Sequence, residues 1–313
     1  MKEKRSLPSE QRIISLLPSA TEVVCALGLH DRLVGRSHEC DYPPEVEELP
    51  ICSHPRYRSD GTSDKINKNV EAILREALSI YRVDVNTIAS LKPTHIITQS
   101  QCPVCAVSTD ELRDALCEYL HLDAIDVIDL SPMSLSDVFD NVLRIADALD
   151  VHCKGEQLII RLQASFDTIQ AKTGERPLKP RVAHIEWIEP IMVAGHWMMS
   201  LITMAGGINV FPDEQKRWIG FEDLIRQNPD KIIIAPCGFS IRRSLRDMKF
   251  LQRRAAWKNL RASQKGEVYI CDGSHYFNRP GPRLIDSAEI LAEIFHPDIF
   301  SGKHHQAGWV KLG

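Results

Sequence analysis

The chain has 313 residues, 43% of them hydrophobic, which is enough for two ordinary cores and too apolar for a disordered protein. A formal net charge of -4 supplies no general basic field for a nucleic-acid backbone, so no nucleic-acid partner is expected. Nine cysteines in a chain of this length fit free or metal-bound thiols in a reducing compartment better than a disulfide framework.

Met1–Arg12 is charged and polar, without the apolar stretch or cleavage site of an export signal, so a cytoplasmic location is expected. Ile13–Leu17 is an apolar run suited to a strand buried on both faces, and Pro18 is expected to end it. Ser19 is then expected to cap a helix, with Glu22 completing a capping box. The loop between them falls at the carboxyl end of a parallel strand, where open α/β sheets hold ligands, and this makes Ser19 a candidate ligand contact. Asp64–Leu91 reads as helical material, Ser134–Val151 as a helix, and Cys153 to about Thr173 as a second one, with Ile159, Leu162, Phe166 and Ile169 at helical spacing. Arg242–Arg254 is a basic strip whose simplest reading is a solvated helix face. The tail from Ser301, including His304-His305, is polar and reads as frayed surface, and no apolar run approaches the ~20 residues that span a bilayer.

A weak repeat organises the whole. Leu91-Lys92-Pro93-Thr94-His95-Ile96-Ile97-Thr98 and Gln227-Asn228-Pro229-Asp230-Lys231-Ile232-Ile233-Ile234 share a helix end, a proline and a buried strand. Each follows an earlier apolar strand, Ile13–Leu17 or Val182–Ile185, so the fold class is α/β with two similarly wound lobes. The expected boundaries are a polar arm at 1–11, a first lobe at 12–151, a connecting helix at 152–177, a second lobe at 178–300 and a tail at 301–313.

Together these motifs resemble the class III substrate-binding proteins of ABC importers, which bind cobalamin and iron chelates, and most closely the vitamin B12-binding branch. The resemblance is carried by Ser15–Leu29, by Leu33-Val34-Gly35 with Asp41-Tyr42-Pro43-Pro44, by the two repeat segments, by Gly206-Gly207-Ile208-Asn209-Val210-Phe211 and by Arg279-Pro280-Gly281-Pro282-Arg283. It implies two Rossmann-like lobes joined by one long helix, with a small-molecule ligand, a cobalamin or other corrinoid, held in the cleft between them. In that branch a glutamate in each lobe docks the transporter. Glu222 occupies the second-lobe position but Asn86 the first, which leaves an ABC transporter permease without one of its two contacts.

Where B12 binders line the first lobe with aromatic rings, the matching loops here read Ser37-His38-Glu39-Cys40 and Gln99-Ser100-Gln101-Cys102-Pro103-Val104-Cys105. Cys102-x-x-Cys105 precedes a helix start signalled by Ser108 and Glu111, and a helix N-terminus favours the thiolate that metals require. The resemblance places the Cys40 loop beside it. Cys40, Cys102 and Cys105, with His38 or Glu39 near, are therefore candidate ligands for a metal ion or for three corners of an iron–sulfur cluster; the alternative is that they simply pack. Cys25, Cys117, Cys153, Cys237 and Cys271 read as core. In the second lobe Trp218 and Tyr276 keep aromatic positions, while Glu186, Trp187, His196, His275 and Arg279 fall on strand ends or loops that such a fold points toward the cleft. An imidazole there can ligate a metal centre and Arg279 can bind a carboxylate or amide.

The signatures of nucleotide hydrolysis, hydride transfer, zinc proteolysis and serine hydrolysis are absent, so no residue is assigned a catalytic role. The expectation is non-catalytic binding of a metal-containing small molecule, a corrinoid first. The alternatives are a cytosolic metal or iron–sulfur protein, or an enzyme acting on a cofactor in the same cleft.

Overall fold

The computed structural model describes residues 11–56, 60–75, 81–99, 112, 125–213 and 215–313. The chain divides into two compact units: Met1–Ser59, Lys68–Pro132 and Ser136–Arg161 form the first, and Asp60–Asn67, Met133–Leu135 and Leu162–Gly313 the second.

The first unit carries a six-stranded sheet of β1 (Ile13–Ser15), β2 (Leu33–Ser37), β3 (Ile51–Pro55), β4 (Tyr81–Val83), β5 (His95–Gln99) and β6 (Asp126–Leu130) in the order β4-β3-β2-β1-β5-β6. All neighbours pair in parallel except β3 with β4. Ile13, Ile14, Ile96 and Ile97 are wholly buried because central parallel strands are covered on both faces. Each such side chain contributes roughly 1.5–3 kcal/mol by burial.

Pro18 opens the next helix instead of merely ending the strand. In α1 (Pro18–Ala26) Leu17 is the N-cap with extended backbone and makes no side-chain cap bond. A proline fits the first helical position because its φ is preset and its missing N–H would have had no helical partner. Ser19 is therefore not the cap: it lies buried in the first turn. Asp64–Leu91 is not helical throughout either. After α2 (Ser63–Arg75), β4 intervenes before α3 (Val85–Leu91), because Tyr81 and Val83 pair with Pro55 and Ser53. The two expected central helices are present as α4 (Leu135–Ala148) and α5 (His152–Gly174), and α5 runs through the division at Arg161/Leu162.

The second unit carries a seven-stranded sheet. Its path is β10 (Trp218–Ile219), β8 (Ile191–Val193), β7 (Arg181–Trp187), β11 (Lys231–Ile234), β12 (Val268–Cys271) and β13 (Trp309–Lys311), with β9 (Ile208–Asn209) paired to β7. Strands β7, β11 and β12 are parallel. The polar tail is not frayed: β13 adds antiparallel to β12, and buried Glu293 accepts hydrogen bonds from His304 N and Trp309 Nε1. His304 is only 7% exposed.

Both copies of the repeat end a helix in the same way. Lys92 (φ 46°) and Asn228 (φ 41°) adopt the left-handed conformation just before Pro93 and Pro229. Asparagine tolerates that region better than lysine, and glycine better still. Lys92→Gly is accordingly expected to raise stability by about 0.5–1 kcal/mol in urea denaturation, whereas Asn228→Gly is expected to lower it by about 1 kcal/mol, because Asn228 Oδ1 accepts from Arg261 N (2.8 Å).

Candidate ligand-binding site

Strand β7 sorts its side chains by alternation. Ala183 and Ile185 belong to the hydrophobic core, so His184 and Glu186 occupy the opposite face. Glu186 is buried and in contact with the Arg217 guanidinium, which also donates to His196 Nε2 (3.0 Å) and through Nε to Val193 O (3.2 Å). A guanidinium only donates, so His196 Nε2 is the acceptor and its ring is neutral with the proton on Nδ1. Gly195 allows this approach, since a Cβ there would lie 2.8 Å from Arg217 Nε. Burial pushes the Glu186 carboxyl up to about 7, against the pull of Arg217 and the Gly195 amide. Burial likewise lowers the His184 imidazole to about 3, and neither of its ring nitrogens has a hydrogen-bond partner among the described residues.

The two groups give opposite pH dependences. His184 takes up a proton on unfolding, so its contribution makes stability fall as pH drops below about 6.5. Glu186 binds its proton more tightly in the folded chain, so its contribution makes stability fall as pH rises from about 4.5 to about 7. Each slope approaches about 1.4 kcal/mol per pH unit. In urea titrations between pH 4.5 and 6.5, His184→Leu is expected to tilt the profile toward greater stability at low pH, and Glu186→Gln to tilt it the other way. Identical profiles for the two variants would rule this assignment out.

At the carboxyl end of β7 the register with β8 shifts after Ile185, so that Trp187 pairs with Met192, and Met192 pairs with Trp218 of β10. Directly opposed residues on antiparallel strands lie side by side, so the three form one cross-strand row. Trp187 packs edge-on to Phe239 (5.2 Å), while Trp218 is 52% exposed. A half-exposed indole at the end of an apolar row offers a stacking face.

The end of β12 builds a second feature. Asp272 Oδ1 accepts from Ser274 N and His275 N (both 2.9 Å) and lies 3.2 Å from His275 Nδ1. The carboxylate thus fixes the ring through Nδ1. Tyr276 lies under the Arg283 guanidinium (4.7 Å to its centroid) and edge-on to His304. Arg279 is buried. Asn278 Nδ2 donates to Ala235 O (3.1 Å) and Gly273 O (3.0 Å), joining the β11 and β12 ends. The carboxyl ends of β7, β11 and β12 share one sheet edge because the strands are parallel. Glu186, Trp187 and the Asp272–Arg279 segment all lie there.

The first unit holds a different set. Cys40 is wholly buried, and its Sγ accepts from Thr21 Oγ1 (3.1 Å) and lies 3.2 Å from Ser37 Oγ. His38 Nδ1 lies 3.1 Å from Ser53 O and its ring packs on Tyr81, with burial lowering it to about 4; Glu39 is 3.9 Å from His38 Nε2. Cys102 and Cys105, with the helix start at Ser108 and Glu111, lie outside the described residues, as does Cys117. Among the described residues the one group of three donors close enough to share a cation is Asp286, Glu289 and His304; it contains no expected ligand, and Lys303 Nζ already sits 2.8 Å from Glu289. Of the cysteines read as core, Cys271 is buried, Cys25 half-buried, and Cys153 and Cys237 are exposed, since α5 and the loop after β11 turn those positions outward.

Arg217, Asp272, Asn278 and His184 escaped the sequence reading. Only Asp272 carried a usable signal, as the acid of an Asp-Gly-Ser turn directly after an apolar strand.

Comparison with known proteins agrees with this architecture. Over 298 residues the chain is 26% identical to the uncharacterized ABC transporter substrate-binding lipoprotein YvrC of Bacillus subtilis, covering 93% of this chain and 81% of that protein. It is 24% identical over 294 residues to the vitamin B12-binding protein of Vibrio cholerae, covering 91% and 88%. Among solved structures, the apo periplasmic heme-binding protein RhuT of Roseiflexus sp. RS-1 superposes with a TM-score of 0.69 at 21% identity, covering 92% of this chain and 98% of that one. The B12-binding protein BtuF of Vibrio cholerae superposes at 0.62 and 23%, covering 91% and 96%. With residues 13–274 matching the family described as periplasmic binding protein, and with two α/β units as its fold, the chain belongs to that family of substrate-binding proteins.

Proposed function

We propose that this chain binds, without converting it, a flat metal-containing small molecule, with a corrinoid as first choice and a haem as second. The observation that carries this reading is the half-exposed Trp218 indole at the end of the Trp187–Met192–Trp218 row. A broad conjugated macrocycle gains most from stacking and burial on such a face. Relatives of similar length named for vitamin B12 binding support the corrinoid. Polar groups on the same sheet edge, His275 held by Asp272 and the Glu186–Arg217 pair, suit the rim of a ligand carrying amides or carboxylates.

Absorbance and tryptophan-fluorescence titrations of the full chain with cyanocobalamin, dicyanocobinamide and haemin test the reading. Saturable one-to-one binding of at least one is expected. Flat titrations with all three at high micromolar ligand would remove it.

A further inference from the structure

The segment after β11 forms one right-handed helical run. Ser240 caps it, with its Oγ accepting from Arg243 N (3.4 Å), and helices Ile241–Asp247 and Lys249–Gln252 meet at Met248, which keeps helical angles (φ -53°, ψ -24°). Four-residue hydrogen bonds carry through the junction, from Met248 N to Ser244 O (3.1 Å), Gln252 N to Met248 O (2.9 Å) and Arg253 N to Lys249 O (3.1 Å). On a 3.6-residue period Arg242, Arg246, Lys249 and Arg253 stand at i, i+4, i+7 and i+11, which is one face. All four are exposed.

Neighbouring cations are used within the fold. Arg243 stacks on Phe239 (3.7 Å) and donates to Gly61 O (2.9 Å); Arg254 pairs with Glu189 (2.9 Å) and Arg261 with Asp230 (2.6 Å). Asp247, the acid within the run, is buried and accepts from Ser63 N (2.5 Å). By contrast, Arg242, Arg246, Lys249 and Arg253 have no carboxylate partner among the described residues; Lys249 lies over the Phe250 ring (5.4 Å). Leu245, 41% exposed, sits among them, three residues after Arg242 and four before Lys249. The row stands out in a chain of net charge -4.

We infer that the exposed face of 241–253 is a peripheral contact for an anionic lipid surface. The cations follow one another at rises of roughly 4.5–6 Å along about 16 Å of helix, and laterally mobile headgroups can adjust to such a line. An apolar side chain among basic ones suits a bilayer interface. Single-stranded nucleic acid fits less well, because stacking needs exposed rings, whereas Trp257 is buried and Phe250 half-buried. Each cation near an anionic bilayer strengthens attachment roughly fivefold.

Co-sedimentation of the full chain with phosphatidylcholine vesicles, with and without an equal share of phosphatidylglycerol, tests this at low and at physiological salt. Attachment to the anionic vesicles alone is expected, declining as salt is added. The Lys249→Gln/Arg253→Gln variant should lose about 25-fold and Arg242→Glu/Arg246→Glu, which reverses two charges, more than a hundredfold, with unchanged thermal midpoints because all four side chains are exposed. Equal attachment to both vesicle types, none to anionic vesicles at low salt, or undiminished attachment of both variants overturns the inference. Tighter binding to duplex DNA or to an acidic peptide than to the vesicles also overturns it and reassigns the face.

Discussion

Trp218→Ala is expected to bind cyanocobalamin about 10- to 100-fold more weakly than the parent chain, a loss of about 1.4–3 kcal/mol, with the melting temperature unmoved. The magnitude follows from removing a large aromatic face from the centre of a contact. The unchanged stability follows from exposure: at 52% accessible, the indole contributes little core burial. Trp218→Phe should recover most of the affinity, because it keeps a ring in register with Met192. Isothermal calorimetry of the three proteins checks the series. An alanine variant binding as tightly as the parent would show that the row ending at Trp218 is not the contact face.

Gly273→Ala is expected to cost about 3–5 kcal/mol and to abolish binding at the same edge. A Cβ on Gly273 would meet Pro236 O at 2.2 Å and Ala235 C at 2.8 Å, and both are backbone atoms that no rotamer change can move away. The same residue donates from N to Phe239 O (3.0 Å) and accepts at O from Gly238 N (3.3 Å) and Asn278 Nδ2 (3.0 Å). Forcing it back therefore parts the β11 and β12 loops and displaces the Asp272–His275 turn. Gly174→Ala is the control: a Cβ there meets nothing within 4 Å at the end of α5, so its urea midpoint should match or slightly exceed the parent's.

What the sequence made legible was whatever burial and backbone chemistry mark strongly. The isoleucine runs of β1, β5 and β11 announce doubly covered strands, and the helix-end prolines at Pro93 and Pro229 mark the repeat. β4 and β13 were missed because three-residue edge strands bury only part of their side chains and so carry no run of apolar residues. β13 is fixed instead by Glu293, 16 positions away, accepting from Trp309 Nε1. At the site, Trp218 was visible through family likeness, but Arg217 beside it was not. An arginine next to a tryptophan looks like surface until folding brings Glu186 and His196 to it from 31 and 21 residues away. Cys40 illustrates the converse: its sulfur lies within hydrogen-bond reach of the Thr21 and Ser37 hydroxyls, contacts that a sequence does not show, while its expected partners Cys102 and Cys105 lie outside the described residues.

The proposed cargo of this member of the binding-protein family is flat and metal-bearing. Native mass spectrometry of the full chain after incubation with an equimolar mixture of dicyanocobinamide, cyanocobalamin and haemin reads its uptake out as mass. A one-to-one adduct with a single cargo, depleted in Trp218→Ala, is expected. Bare protein at every cargo concentration, or adducts of several cargos that persist undiminished in the variant, would contradict it.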